Sequence, residues 1–276
     1  MNEISGFNIA LLIDGDNAQP DLLKYILAEA GRYGKVTIRR IYGDWTISNM
    51  KGWKEQINSH AIRPMQQFSY TKGKNSTDSA MIIDAMDILN KNLVNGFCLV
   101  SSDSDYAGIA NRIREEGVFV MGIGRANTPE AFQKACEIFI FTENLNPEEA
   151  PKLKPKPKAR AKAVHKKTET LKPAFEKEKF SEPEPPVESK MSEIKSKITK
   201  SPLDISLVDK AFEMAVQDDD LAYLSGIGIH LRRLDPSFDP RTYGFSSLTG
   251  LFKSLTKQYE LVYKSRGSPP FIRRKK

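Results

Sequence analysis

The first 145 residues alternate short apolar runs with segments of helical periodicity, and this alternation restricts the fold more than any other feature of the chain. Repeated βα units of this length are typical of a parallel sheet with helices on both faces. We therefore predict a Rossmann-like α/β domain over residues 1–146. The predicted strands are Asn8–Ile13, Val36–Tyr42, Ile62–Phe68, Gly96–Ser101, Val118–Ile123 and Ile138–Phe141. The predicted helices between them are Pro20–Tyr33, Ile47–Asn58, Ser76–Asn92, Tyr106–Glu116 and Pro129–Ala135.

Residues 147–200 have a different composition, in which Pro, Lys and Glu dominate and aromatic or β-branched residues are rare. Such a segment cannot bury enough apolar surface to offset the chain entropy lost on folding, so a disordered linker is predicted. The segment is also basic. The net charge of +7 divides into −4 for residues 1–150, +8 for 151–200 and +3 for 201–276.

Beyond the linker, residues 201–276 return to the pattern of a small globular domain. Helices are predicted at Leu203–Val216, Leu221–Leu234 and Ser246–Leu255, and strands at Tyr259–Lys264 and Phe271–Arg274. Three helices followed by a hairpin are the outline of a winged helix. The linker would tether this domain to the first without a fixed geometry.

Several classes of protein are excluded by composition. The sequence has no uninterrupted apolar stretch of about 18 to 20 residues and no basic secretion signal at its start, so we expect a cytoplasmic protein without a membrane partner. Cys98 and Cys136 lie within apolar runs, and three scattered histidines complete no Cys/His metal site.

Three acidic motifs follow strands or open helices. Asp14 ends the first strand, Asp103 follows the fourth strand, and Asp105 opens the next helix. Asp78 falls in the first turn of the helix after the third strand, with Ser76 as its cap. Because ligands gather at the carboxyl ends of parallel strands, these carboxylates are expected to meet at one edge of the sheet.

Clustered carboxylates repel one another and stay ionised only beside a cation, and a set of oxygen ligands without Cys or His suits Mg²⁺ or Mn²⁺. Such an ion activates water and stabilises charge on a phosphodiester. The alternative is that each acid is an ordinary cap or first-turn residue, and a single motif taken alone favours this alternative. The four acids together favour the metal. Asn17, Asp16 and Asp84 are candidate supporting residues, and Lys72 and Lys74 are candidate phosphate contacts.

Three sequence motifs in this order, IDGDN, KGKNSTDSAMIIDAMDIL and LVSSDSDYAGIANRIREEGVFVMGIG, resemble a NYN domain of the LabA-like type, a relative of PIN nucleases. The resemblance covers about residues 5–145. It implies a PIN-like fold and metal-dependent ribonuclease activity. Asp14, Asp78, Asp103 and Asp105 match the acidic positions of the family, and Asn17 matches the polar residue beside the first.

Some PIN relatives supply a further acid after the fifth strand. Here the segment from Gly122 to Asn127 contains none, which favours one ion over two and leaves Arg125 as a candidate phosphate contact.

The C-terminal segment resembles the OST-HTH or LOTUS domain, a winged helix that binds RNA or protein partners. The matching residues are Gly228, Leu231, Pro236, Phe238, Asp239, Arg241, Tyr243 and Gly244. The aromatic residues among them are typical of a small core. Basic residues around them would form a phosphate track. These candidates are Arg232, Arg233, Arg241, Lys253, Lys257, Lys264 and Arg266.

The leading hypothesis is a metal-dependent ribonuclease with a tethered RNA-binding winged helix. One alternative is a non-catalytic RNA-binding or scaffold protein. Another is a haloacid-dehalogenase-like phosphatase, which would use Asp14 and Asp16, but Ala18 stands where that chemistry requires Thr or Val. The sequence leaves the RNA target, internal or terminal cleavage and the oligomeric state undetermined.

Overall fold

The computed structural model describes residues 6–68, 76–145, 202–217, 220–265 and 268–275. The predicted linker at 147–200, and with it the prediction of disorder, lies outside the described residues, as do Lys72, Lys74 and Arg266. Within the described ranges, none of the helices has the length and apolar character needed to cross a bilayer.

The N-terminal part is a six-stranded parallel sheet, as predicted, with the strand order β3-β2-β1-β4-β5-β6. Unbroken apolar runs form its central strands because both faces of the sheet are covered. The strands are β1 Asn8–Asp14, β2 Lys35–Gly43, β3 Arg63–Gln66, β4 Gly96–Val100, β5 Phe119–Gly124 and β6 Ile138–Phe141. The helices are α1 Leu23–Ala30, α2 Trp53–Ser59, α3 Ser76–Asn90, α4 Tyr106–Glu115 and α5 Glu130–Ala135.

Two hydrophobic cores lie on opposite faces of this sheet. Successive side chains of a strand point to opposite faces, so Ala10 and Leu12 of β1 join one core while Ile9, Leu11 and Ile13 join the other. Helices α3, α4 and α5 cover the first core, and α1 and α2 cover the second. This arrangement confirms the predicted α/β class.

The strand order reverses direction at β1, which pairs with β2 on one side and β4 on the other. The chain therefore leaves β1 and β4 in divergent directions, and a crevice opens at their carboxyl ends. Asp14 at the end of β1 and Ser101 just beyond β4 border this crevice.

The described C-terminal residues form three α-helices and a three-stranded antiparallel sheet with the order β7-β9-β8. Leu221–Tyr223 was predicted to begin a helix, and this prediction was wrong, because these residues form β7 and pair with β9. The Tyr223 ring packs against Phe271 with 4.2 Å between ring centroids. The elements are α6 Ile205–Ala215, β7 Leu221–Tyr223, α7 Leu224–Leu234, α8 Leu248–Ser254, β8 Tyr259–Val262 and β9 Phe271–Arg274.

The winged-helix part contacts the sheet instead of standing apart from it, and the two parts belong to one compact unit. Strand β6 lies at the edge of the sheet, and the outward backbone N–H of Phe139 donates to the Pro236 carbonyl at 2.9 Å. Asn144 Nδ2 donates to Thr242 Oγ1 at 2.8 Å. These contacts cover a strand edge that would otherwise offer unpaired backbone groups.

Candidate metal centre at the carboxyl edge of the sheet

Asp14 is fully buried at the end of β1. Its Oδ2 accepts hydrogen bonds from Asn17 Nδ2 at 2.6 Å and from Ser101 Oγ at 2.8 Å. Its Oδ1 accepts from the backbone N–H groups of Asp16 at 3.1 Å and Asn17 at 3.4 Å. Burial raises the pKa of Asp14, and the hydrogen bonds from Asn17 and Ser101 offset only part of this rise. Asp14 is thus a rigidly held acid at the base of the crevice.

The loop after β1 is fixed by close backbone packing at Gly15. A Cβ atom at this position would lie 2.7 Å from the Tyr42 carbonyl oxygen and 2.7 Å from Met50 Cε. The Gly15 N–H donates to the Tyr42 carbonyl at 2.9 Å, and the Trp53 indole N–H donates to the Gly15 carbonyl at 3.1 Å. Glycine therefore allows the loop to approach β2 and orient Asp14.

Asp78, Asp103 and Asp105 form a three-carboxylate cluster, in which one oxygen of each lies within 4.8 Å of the others. Asp78 is in the first turn of α3, and Asp103 and Asp105 lie at the start of α4. Asp105 occupies the N-cap position of α4, but its side chain makes no capping hydrogen bond to the helix. The geometry at Asp105 therefore differs from that of an ordinary cap.

The donor set of this cluster fits a hard divalent cation. Mg²⁺ and Mn²⁺ prefer carboxylate oxygens, and oxygens that share one Mg²⁺ lie within about 4.2 Å of each other because each bond is about 2.1 Å long. Around such an ion the oxygens of the three-carboxylate cluster, which lie within 4.8 Å of one another, would draw closer together. Asp14 is linked to the cluster through Ser101, whose hydroxyl donates to Asp14 and accepts from the Asp103 N–H. The charge of Asp14 also raises the pKa of Asp78.

Asp78 is electrostatically strained among its neighbours. Partial burial raises its pKa most, and the charges of Asp14, Asp103 and Asp105 raise it further. The buried Tyr106 hydroxyl donates to Asp78 Oδ1 at 2.7 Å, and burial next to these acids raises the pKa of Tyr106 far above its ordinary value. Tyr106 therefore remains protonated and serves as a hydrogen-bond donor that orients Asp78.

This repulsion predicts that Asp78→Asn stabilises the metal-free protein. A carboxyl whose pKa is raised in the folded state stabilises the fold below its unfolded pKa and loses that contribution as pH rises through the folded pKa. At pH 7 the ionised Asp78 is therefore unfavourable, while asparagine keeps the acceptor for Tyr106. We expect Tm in EDTA to rise by about 2–4 °C at pH 7, the shift that follows from roughly 1 kcal/mol, and by less near pH 4.

Thermal unfolding at both pH values measures this effect. The matched control is Asp87→Asn, since Asp87 is an exposed residue of the same helix. A lower Tm for Asp78→Asn at pH 7 would contradict the repulsion.

The candidate supporting residues lie at different places. Asn17 contacts Asp14 through its side chain, whereas the exposed Asp16 contacts it only through its backbone N–H. Asp84 accepts hydrogen bonds from Arg40 and from the Tyr42 hydroxyl, and Tyr42 pairs with Asp14 across β1 and β2. The hydrogen-bond partners of Asp84 are thus Arg40 and Tyr42, and Asp84 is not part of the three-carboxylate cluster.

Two residues of the site were not predicted from the sequence. Ser101 is buried, donates to Asp14 and accepts from the Asp103 N–H at 3.1 Å, so it links the two acids. Tyr106 orients Asp78. A small polar residue directly after the apolar run of β4 was the available signal for Ser101.

The predicted phosphate contacts fall into two groups. Arg125 is exposed in the loop after β5, near the acidic edge, and its N–H donates to Ser102 Oγ at 2.9 Å. Arg241 instead forms ion pairs with Asp239 at 2.6 Å and Glu29 at 3.2 Å, so its guanidinium is already occupied by carboxylates. The remaining described basic candidates are the half-buried Arg232 and the exposed Arg233, Lys253, Lys257 and Lys264.

Family models match both parts of the chain. The model of the NYN domain matches residues 8–145, and the model of the OST-HTH/LOTUS domain matches residues 190–270. No curated protein matches the chain at a significant level.

Solved structures give only distant similarity. A crystal structure of a protein of unknown function from Vibrio parahaemolyticus is 17% identical, with a TM-score of 0.43, and the match covers 50% of this chain and 94% of that one. The carboxyl transferase domain of Rhizobium etli pyruvate carboxylase is 14% identical with a TM-score of 0.23, over 50% of this chain and 27% of that one. At these scores neither likeness bears on function.

Proposed function

This chain belongs to the NYN domain family and carries an OST-HTH/LOTUS domain, and on that premise we propose that it is a divalent-metal-dependent ribonuclease. NYN domains are PIN-like nuclease domains. The observation that carries the proposal is the three-carboxylate cluster of Asp78, Asp103 and Asp105 beside the buried Asp14, at the point where the strand order reverses.

In this proposal the three-carboxylate cluster holds one Mg²⁺ or Mn²⁺ ion. When bound, such an ion lowers the pKa of water and stabilises charge on the phosphodiester. Tyr106 fixes the orientation of Asp78, and Ser101 couples Asp14 to the backbone of Asp103. Fixed ligands of this kind hold the reacting groups without reorganisation during the reaction.

RNA would reach the site through basic side chains outside it. Arg125 is exposed next to the acidic edge, and Arg233, Lys253 and Lys257 are exposed on the winged helix. Contacts of this kind bind phosphates and carry no sequence information by themselves. The proposal therefore includes an RNA-binding role for the C-terminal part, with affinity that falls as salt increases.

The phosphatase alternative receives less support from the site. A nucleophilic carboxylate must approach the substrate phosphorus, whereas Asp14 is fully buried and both its oxygens accept hydrogen bonds. The non-catalytic alternative differs from the proposal only in whether a bound metal leads to cleavage.

Removal of divalent metal tests the proposal directly. We expect the purified chain to cleave single-stranded or structured RNA in Mg²⁺ or Mn²⁺. Cleavage should stop in EDTA and resume when the metal is restored. Product formation is followed on labelled RNA, with a generic phosphate monoester as the parallel substrate for phosphatase activity. Cleavage that persists in EDTA, or its absence with every metal, would refute the proposal.

Metal binding can be measured separately through thermal unfolding. A ligand present at 100 times its Kd stabilises the folded state by about 2.7 kcal/mol. A metal-dependent rise in Tm without RNA cleavage would favour the non-catalytic alternative.

A further inference from the structure

A cavity of about 960 Å³ lies between the winged helix and the N-terminal part, lined by both. It opens at the amino ends of β5 and β6, where Phe119 and Ile138 line it, and faces α7 through Ile229 and Arg232. The acidic residues lie at the opposite, carboxyl edge of the same sheet. Along β5, from Phe119 to Gly124, the separation is about 17 Å at 3.3 Å per residue.

This cavity forms an interdomain groove, and its lining is strongly basic. It contains six basic and two acidic side chains, although residues 1–150 as a whole carry a net charge of −4. The basic residues come from both parts of the chain, so the positive potential exists only when the two are in contact. They are Arg32, Arg114, Lys134, Arg232, Arg233 and Arg241.

The ion pairs at the back of the interdomain groove fix its two walls together. The half-buried Arg241 bridges Asp239 and the buried Glu29 of α1. Arg32 also contacts Glu29, at 3.1 Å. These carboxylates account for the charges of Arg32 and Arg241, which leaves four basic residues and the acidic Glu137 in the lining to act on a ligand.

The position of Arg114 is set by neutral acceptors. Its guanidinium donates to the Lys134 carbonyl at 3.0 Å and to Asn111 Oδ1 at 2.9 Å. Lys134 pairs with Glu130 at 3.2 Å, but both side chains are exposed, and such pairs contribute little. Arg232 and Arg233 have no carboxylate partner within 4.0 Å among the residues that the structure describes. Positive charge therefore faces the groove from both walls.

We propose that the interdomain groove binds the backbone of single-stranded RNA, so that both parts of the chain contact the same strand. This inference rests on the proposed function and identifies a part of the RNA site that lies outside the winged helix. Four cations on two walls of one groove provide contacts for the phosphates of a strand. The exposed Ile229 and the half-buried Phe119 also line the groove and offer apolar surface to unstacked bases.

Neutralising one arginine on each wall of the interdomain groove tests whether both parts of the chain contact the RNA. Binding of fluorescent single-stranded RNA to the full chain is measured in EDTA over a range of salt, so cleavage plays no part in the readout. We expect Arg114→Gln and Arg233→Gln each to weaken binding about 3- to 10-fold. Each should also reduce the salt slope by about 0.7, the value for one contact to a single strand.

Arg63→Gln is the matched control. Arg63 is an exposed residue at the start of β3, on the far border of the sheet, five strand spacings or about 24 Å from β6. Arg114→Lys separates the effect of charge from that of structure, because lysine keeps the positive charge that Arg114→Gln removes. It should recover most of the RNA affinity lost in Arg114→Gln if the charge at this position acts on phosphate. Circular dichroism and Tm confirm that each variant is folded.

Three results would overturn the inference. The first is a loss with Arg233→Gln but none with Arg114→Gln, which would place the RNA on the winged helix alone. The second is an equal loss with Arg63→Gln, which would indicate nonspecific attraction. The third is no loss with any variant. Each can occur whether or not the chain cleaves RNA, so the inference and the proposed function fail independently.

Discussion

Replacing Asp103 by asparagine is expected to lower the rate of RNA cleavage by at least about 100-fold. Loss of a residue that merely orients a metal ligand typically lowers affinity or activity 10- to 100-fold, so loss of a ligand should have a larger effect. Asparagine keeps an acceptor for the Asp105 N–H, which lies 3.0 Å from Asp103 Oδ1, so the loop should keep its shape. Single-turnover cleavage in Mn²⁺ measures the loss, and the Mn²⁺-dependent rise in Tm should shrink in parallel.

Asp87→Asn is the control for Asp103→Asn, since it makes the same change of charge at an exposed position outside the three-carboxylate cluster. We expect its cleavage rate to stay within about twofold of the wild type, as substitutions at exposed positions usually have small effects. Equal losses of cleavage rate in Asp103→Asn and Asp87→Asn would show that the effect comes from net charge. An active Asp103→Asn variant would remove Asp103 from the catalytic assignment.

The second large effect is expected at Gly124, which ends β5 beside the site. A Cβ atom there would lie 2.4 Å from the Ser101 carbonyl oxygen and 2.7 Å from Thr128 Oγ1. The nearest atom belongs to the backbone and cannot rotate away. Overpacking of this kind destabilises by about 3 kcal/mol, so Gly124→Ala should lower the free energy of unfolding by this amount. Urea unfolding measures the change.

Gly124→Ala should also lower cleavage, because displacement of Ser101 disturbs its hydrogen bond to Asp14. The control is Gly108→Ala in α4, where an added Cβ meets no atom within 4 Å. Alanine is a better helix former than glycine by about 1 kcal/mol, so this control should be neutral or stabilising. Equal stability of Gly124→Ala and the wild type would show that the backbone around Ser101 can move aside.

The sequence predicted those elements and site residues that a local pattern of residues specifies. The unbroken apolar runs of β1 and β4 predicted buried parallel strands. The acidic motifs predicted that Asp14, Asp78, Asp103 and Asp105 would meet, and the last three form the three-carboxylate cluster, whereas Asp14 lies outside it. The hydrogen bonds that organise these acids were not predicted. Ser101 and Tyr106 act on residues distant in sequence, and such pairings leave no local signature.

The contacts of the winged helix were unpredictable for the same reason. The pattern around Arg241 suggested a phosphate contact, but its partner Glu29 lies on α1, more than 200 residues earlier in the chain. Strand β7 was missed because three residues at the start of a helical pattern become a strand only through pairing with β9. In both cases tertiary pairing decided the structure.

The contact between β6 and the winged helix limits how far the two parts are interchangeable. Another module joined to this sheet would have to offer a carbonyl to the Phe139 N–H and a surface compatible with the buried Glu29, which Arg32 and Arg241 both contact. A module that lacks them would leave an open strand edge, along which a second copy of the chain can pair. The surface chemistry at β6 therefore restricts which domains can replace the winged helix. A chain with an unsuitable domain there would risk self-association through this strand.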